Sequence, residues 1–209
     1  MNDKPETSSL PRLYAIVDVA SLGAHTLLDF SKELLAGGVA LVQYRNKTGS
    51  ARQMLDDARS LRRLVGERAQ LILNDRTDLA LAADCAGVHL GQEDLSAESA
   101  RAVAGERLLI GVSCHNLEQV KTADAGPADY IAVGPVFGTT SKARPDPVAG
   151  LEGVRAARAA TRKPLVAIGG ITRANGRQVI EAGADSVAVI SDLVTEPKKA
   201  AQDFLRLLK

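Results

Sequence analysis

The residues best suited to do chemistry gather around one short run, Gln43-Tyr44-Arg45-Asn46-Lys47. Alternate side chains of a strand share a face, so Gln43, Arg45 and Lys47 lie together beyond Val39 and Leu41, and that face turns from apolar to cationic. If it points inward, two cations at its end need an anion beside them, because an unpaired buried charge is costly. Asn74-Asp75 and Gly91-Gln92-Glu93-Asp94 each put a carboxylate just past another apolar run. Neighbouring strands lie about 4.8 Å apart. Asp75 and Asp94 could therefore share one hard cation such as Mg2+, which takes one or two protein carboxylates and completes its shell with water and phosphate oxygens. Each aspartate alone also fits a helix cap. Beside a basic patch, the pair points instead to a metal-assisted diphosphate site.

Further along, Gly134-Pro135-Val136-Phe137-Gly138-Thr139-Thr140-Ser141-Lys142 is dense in hydroxyls and ends on a cation. Its spacing does not fit a nucleotide-binding P-loop, and it reads as a lid over an anion or as a plain surface loop. Ile168-Gly169-Gly170-Ile171-Thr172 and Val189-Ile190-Ser191-Asp192 close two later apolar runs, where glycine would let backbone N–H groups approach a second phosphate. Ser113 has no His/Asp pattern around it, so it reads as a hydrogen-bond donor to ligand rather than a nucleophile. His89 reads as a hydrogen-bonded interior residue, His25 and His115 as surface or capping residues, and Cys114 as a small buried apolar side chain.

The elements that must position these groups are eight short apolar runs, expected as strands at 13–18, 39–45, 71–75, 87–91, 108–114, 130–136, 164–170 and 186–191. Segments of helical period alternate with them, as in Met54, Leu55, Ala58, Leu61 and Val65. Strict alternation calls for a parallel sheet with crossover helices, and eight units of about 26 residues each suit a small single-domain (β/α)8 TIM barrel of class α/β. A doubly wound open sheet is the second choice, because the dinucleotide fingerprint is missing after Asp18. Residues 1 to about 10 read as a disordered tail, 11–209 as the barrel, and 137–150 as a long loop leaving the C-terminal end of the sixth strand, the end where such barrels build their sites.

Composition narrows the class further. The 209 residues carry 26 Lys+Arg against 25 Asp+Glu, with no long basic cluster, which argues against nucleic acid as a partner. No apolar stretch approaches the roughly 18 residues of a membrane span. The two cysteines lack ligand or disulfide spacing, and a cytoplasmic enzyme is expected. A homo-oligomer is compatible with the sequence.

Taken in order, Gln43-Tyr44-Arg45-Asn46-Lys47, Asn74-Asp75, His89-Leu90-Gly91-Gln92-Glu93-Asp94, Gly111-Val112-Ser113-Cys114-His115, Gly134-Pro135-Val136-Phe137 and Ile168-Gly169-Gly170-Ile171-Thr172 resemble the thiamine phosphate synthase family from about Leu13 to Leu193. The resemblance implies a Mg2+-dependent transferase that joins two small phosphorylated heterocycles, a hydroxymethylpyrimidine diphosphate and a thiazole phosphate, with loss of diphosphate. It further implies that Gln43, Tyr44, Arg45, Asn46, Lys47, Asn74, Ser113 and Lys142 hold the pyrimidine diphosphate. Arg45, Lys47, Ser113 and Lys142 would serve catalysis, and Asp75 and Asp94 would hold the metal. Thr139, Thr140, Ser141, Gly170, Ile190 and Ser191 would meet the thiazole phosphate. Many relatives have Thr where this chain has Ser141, which keeps the hydroxyl. Two other readings compete: a thiazole tautomerase on the same barrel, whose acid/base His is replaced here by Pro135, and a non-catalytic barrel that only binds phosphate ligands.

Overall fold

A computed structural model of the chain describes residues 10–138 and 147–209. Its elements are β1 (Leu13–Asp18), α1 (Leu27–Ala36), β2 (Leu41–Arg45), α2 (Ala51–Val65), β3 (Gln70–Asn74), α3 (Thr77–Ala82), β4 (Gly87–Leu90), α4 (Ala97–Ala104), β5 (Leu109–Cys114), α5 (Leu117–Ala125), β6 (Tyr130–Val133), α6 (Gly150–Ala160), β7 (Leu165–Ile168), α7 (Gly176–Glu181), β8 (Ser186–Val189) and α8 (Pro197–Leu207). Each strand pairs in parallel with the next and β8 closes on β1, so the sheet is a complete barrel with no open edge. The expected (β/α)8 architecture is present, and the open-sheet alternative falls.

Local chemistry explains the alternation. Thr26, Ser50, Ser96 and Asn116 stand before α1, α2, α4 and α5, and each accepts a hydrogen bond from the backbone N–H three residues on, satisfying a donor that the helix cannot. In α2, Ala58, Leu61 and Val65 form the buried stripe that holds the helix to the barrel. The strands are buried on both faces. Outward side chains such as Val17, Val42, Tyr44, Leu73 and Val88 pack under the helices, while Tyr14, Ile16, Leu41, Ile72, Tyr130, Ala132, Val166 and Ala188 fill the interior. Gly111 is required in that interior, because a Cβ there would collide with the Tyr130 ring.

Several strands are shorter than expected. β6 ends at Val133 because the chain turns away at Gly134 and Pro135, and Val136 and Phe137 donate instead to Ile168 and Gly169 carbonyls at 2.9 and 3.0 Å. Leu10, counted from sequence with the tail, is buried with the interior cluster of Tyr14 and Ile16. The remainder of the expected tail and the tip of the 137–150 loop lie outside the described residues.

Candidate active site

The strand register decides which side chains reach the C-terminal mouth. Asp18 pairs with Arg45 across β1 and β2, and Asn74 pairs with His89 across β3 and β4. Continuing the interior alternation to the strand ends brings Asp18, Arg45, Asn74, Ser113 and Ile190 to one rim.

Arg45 and Lys47 both reach this rim, and both already have anions. The Arg45 guanidinium lies 2.9 Å from the buried Asp18 carboxylate, and Lys47 Nζ lies 2.5 Å from Asp75 Oδ2. The requirement that a ligand neutralise these cations is therefore met by the protein itself. Asp18 was not singled out from sequence, although its place on the Tyr14 and Ile16 face and its register opposite Arg45 are the signal that could have found it. Its Oδ2 also accepts from Ser21 Oγ at 3.2 Å, while Oδ1 is buried with no partner among the described residues.

Asp75 adopts left-handed backbone at φ 65, a conformation that aspartate tolerates better than most side chains. Its N–H donates to His89 O at 2.8 Å, extending the β3–β4 ladder by one step. Burial pushes the Asp75 carboxyl above its ordinary range, Lys47 opposes that shift, and the adjacent Asp94 carboxylate adds to it. Asp94 is fixed by the Gly91 N–H, which donates to its Oδ2 at 2.7 Å. Neither residue caps a helix, since Arg76 and Ser96 occupy the cap positions of α3 and α4. Asp75 and Asp94 line one surface cavity with Thr77 and Leu95. Among the described residues no cluster of three or more metal-ligating side chains exists. Two adjacent carboxylates that repel each other suit a hard divalent cation completed by substrate oxygens, so the donor set fits Mg2+. Asn74 Nδ2, buried and without a partner among the described residues, is a hydrogen-bond donor beside them, not a metal ligand.

Beneath the rim runs a column of hydrogen bonds. Gln43 Nε2 donates to Tyr14 Oη at 2.9 Å, Tyr14 Oη meets Tyr130 Oη at 3.0 Å, Tyr130 Oη meets His89 Nδ1 at 3.0 Å, and His89 Nε2 meets Ser113 Oγ at 2.9 Å. Burial raises both tyrosines and holds the His89 imidazole down at about 4, so the column is neutral at pH 7. Each hydroxyl has one proton and a neutral imidazole has one donor and one acceptor. The assignment that satisfies every group sends the protons from Tyr14 to Tyr130 to His89 Nδ1, leaving Nε2–H to donate to Ser113. The Ser113 hydroxyl proton is then left to donate outside this column. His89 is the interior residue that the sequence suggested.

The motif reading included two residues that the structure places elsewhere. Tyr44 alternates to the outer face, where its Oη donates to Asp57 Oδ2 of α2 at 2.7 Å. Asn46 folds back onto the chain: its Oδ1 accepts from Thr48 and Gly49 N–H at 3.1 and 2.8 Å, and its Nδ2 donates to Tyr44 Oη. Both side chains support the β2–α2 connection and neither points to the mouth beside Arg45. Gln43 stays in the interior, below the rim. Lys142, Thr139, Thr140 and Ser141 lie outside the described residues.

On the opposite rim, Gly169 and Gly170 both adopt positive φ, and a Cβ on Gly170 would meet the Gly138 carbonyl and Phe137, so the β7 loop lies against the stem of the 137–150 loop. Ile190 and Ser191 follow β8, with Ser191 opening a short 3-10 turn, Ser191–Leu193. His25 and His115 are half-buried, their ring nitrogens on the Val194 and Gly134 carbonyls at 3.0 and 2.8 Å. Burial pushes the Cys114 thiol up to about 12, as befits an inert core residue.

The family model for thiamine monophosphate synthase matches residues 13–193. A thiamine-phosphate synthase of Koribacter versatilis is 57% identical over 203 residues, covering 95% of this chain and 96% of the relative, and that of Chloroflexus aurantiacus is 45% identical over 201 residues, covering 94% and 92%. Among solved structures, the thiamine phosphate pyrophosphorylase of Pyrococcus furiosus superimposes with a TM-score of 0.85 at 35% identity, covering 94% of this chain and 95% of that one. No helix of the described residues is long and apolar enough to cross a membrane. With its barrel, its paired rim charges and these matches along nearly the whole chain, the protein belongs to the thiamine monophosphate synthase family of transferases.

Proposed function

We propose that this protein joins hydroxymethylpyrimidine diphosphate to a thiazole phosphate, releasing diphosphate and thiamine phosphate, with Mg2+ held by Asp75 and Asp94 and with the cytoplasm as its compartment. The observation that carries this reading is the rim itself: Arg45, Lys47, Asp75, Asp94 and Ser113 converge on one side of the mouth, and the glycine loops after β7 and β8 stand on the other.

The chemistry follows from charge. The bond between the pyrimidine methylene carbon and diphosphate oxygen breaks with its electron pair going to oxygen, and the thiazole nitrogen lone pair then forms the new carbon–nitrogen bond. Arg45 and Lys47 face the leaving group, whose charge grows as that bond breaks, so their attraction is greater in the transition state than in the substrate. Lys47 exchanges the Asp75 carboxylate for a diphosphate oxygen. Ser113, with its oxygen fixed by His89, donates its proton to the same substrate. Bound Mg2+ would supply Lewis-acid stabilisation of the departing diphosphate. No general base is needed, because the thiazole nitrogen is already nucleophilic. Lys142 extends the cationic set in this reading, and Lys142→Ala should lower kcat by roughly 100-fold, the usual cost of one oriented charge-stabilising donor; steady-state kinetics at saturating substrates measures it.

The test is product formation from the two substrates and Mg2+, with Asp94→Ala as the control. Thiamine phosphate with equimolar diphosphate, lost in the control, is expected. Both substrates binding without turnover would overturn the reading in favour of a binding barrel.

A further inference from the structure

We propose that Arg173 and Asp192 form a clamp that sets the spacing of the β7 and β8 loops, and so the affinity for the thiazole phosphate, without either side chain touching substrate. The inference rests on reading Gly170, Ile190 and Ser191 as the cradle of that phosphate. Arg173 lies just beyond Gly170 on one loop and Asp192 follows Ser191 on the other. The Asp192 carboxylate accepts three hydrogen bonds from Arg173: backbone N–H to Oδ2 at 2.8 Å, Nε to Oδ2 at 3.1 Å and Nη2 to Oδ1 at 3.0 Å. A forked side-chain pair reinforced by a backbone donor fixes relative orientation as well as distance, which a single exposed ion pair does not.

The clamp is braced on two sides. Arg173 Nη1 lies 3.6 Å from Asp203 Oδ2 on α8, and Asp203 is itself held by Lys199 at 2.9 Å and by Arg206. Within the β7 loop, Asn175 Oδ1 accepts from Thr172 N–H at 2.8 Å while its Nδ2 donates to Gly170 O at 3.0 Å, tying the clamp segment back to the cradle glycine. A cradle of backbone N–H groups with the Ser191 hydroxyl beside them cannot reshape itself by rotating side chains alone, so its geometry depends on how its two loops are held.

Asp192→Asn separates this role from simple electrostatics. Removing a negative charge near a phosphate should tighten binding if charge alone matters. The clamp predicts the opposite: the KM for thiazole phosphate rises about tenfold, the scale of a lost charge-assisted hydrogen bond. The KM for the pyrimidine diphosphate and kcat at saturation should stay within about twofold. Arg173→Lys, which keeps the positive charge and loses the fork, should behave likewise, and the double variant should be no worse than either single one. An unchanged or lower KM for thiazole phosphate in Asp192→Asn, or an equal rise in both KM values, would overturn the clamp. Ser191→Asp keeps the two readings apart, since it puts a negative charge in the cradle itself. If Ser191→Asp abolishes thiazole phosphate binding by calorimetry while the clamp variants change nothing, the clamp alone fails; if Ser191→Asp leaves binding intact, the cradle assignment fails with it.

Discussion

The two sides of the barrel mouth are built on different principles. The β2–β4 side is dense in charge, and its charges are paired in advance: Asp18 with Arg45, Lys47 with Asp75, and Asp75 crowded by Asp94. The β7–β8 side carries positive-φ glycines and the Ser191 turn, and its ionic groups, Arg173, Asp192 and Asp203, are paired with one another. Under the function proposed above, the first side would respond to charge developing on a leaving group, and the second would hold a phosphate whose charge does not change. In the proposed reaction this division matches the difference between transition-state stabilisation and uniform binding.

The largest effect should come from the carboxylates proposed to hold Mg2+. Asp94→Ala is expected to reduce turnover by about 1000-fold, the upper end for loss of an oriented electrostatic contributor, and the variant should lose its response to added Mg2+. Next in size is a stability effect. Truncating Arg45 leaves Asp18 as a buried unpaired charge, so Arg45→Ala should cost about 3 kcal/mol or more in urea unfolding, whereas Arg45→Ala with Asp18→Asn should recover much of that loss. No comparable rescue is expected at the β7–β8 loops, where the pairs are half-exposed.

The interior column adds a pH dependence. The buried His89 titrates near 4, below its ordinary 6.5, so the folded protein disfavours its protonation. A base depressed in this way contributes stability that is present above its unfolded value and lost as pH falls toward its folded one. Stability should therefore fall between about pH 6.5 and 4, by up to roughly 3 kcal/mol from this group. His89→Gln should flatten that part of the urea-midpoint profile, and an unchanged slope would contradict the assignment.

Period-two alternation made the barrel legible, and it placed Gln43 and Arg45 correctly because the strand pleat carries them inward. The same alternation turns the Tyr44 side chain outward, toward α2. Asn46 could not be placed by alternation, since it sits past the strand in a turn made by its own side chain. Pairing was the harder part. Asp18 opposite Arg45 requires the register between β1 and β2, and Arg173 on Asp192 joins two loops whose approach is set only when the barrel closes. The β6 boundary was overextended because Val136 is apolar and buried, yet its hydrogen bond goes across to Ile168 after the chain has turned.

The contrast between the two rims is tested most directly by measuring kcat and both KM values for Arg45→Ala and Ser191→Ala side by side. Arg45→Ala should lower kcat by roughly 100-fold. Ser191→Ala should raise the KM for thiazole phosphate about fivefold and leave kcat within about twofold, as loss of one neutral hydrogen bond implies. If Arg45→Ala raised only a KM, or if Ser191→Ala cut kcat as deeply as Arg45→Ala does, the division of labour between the two rims would be wrong.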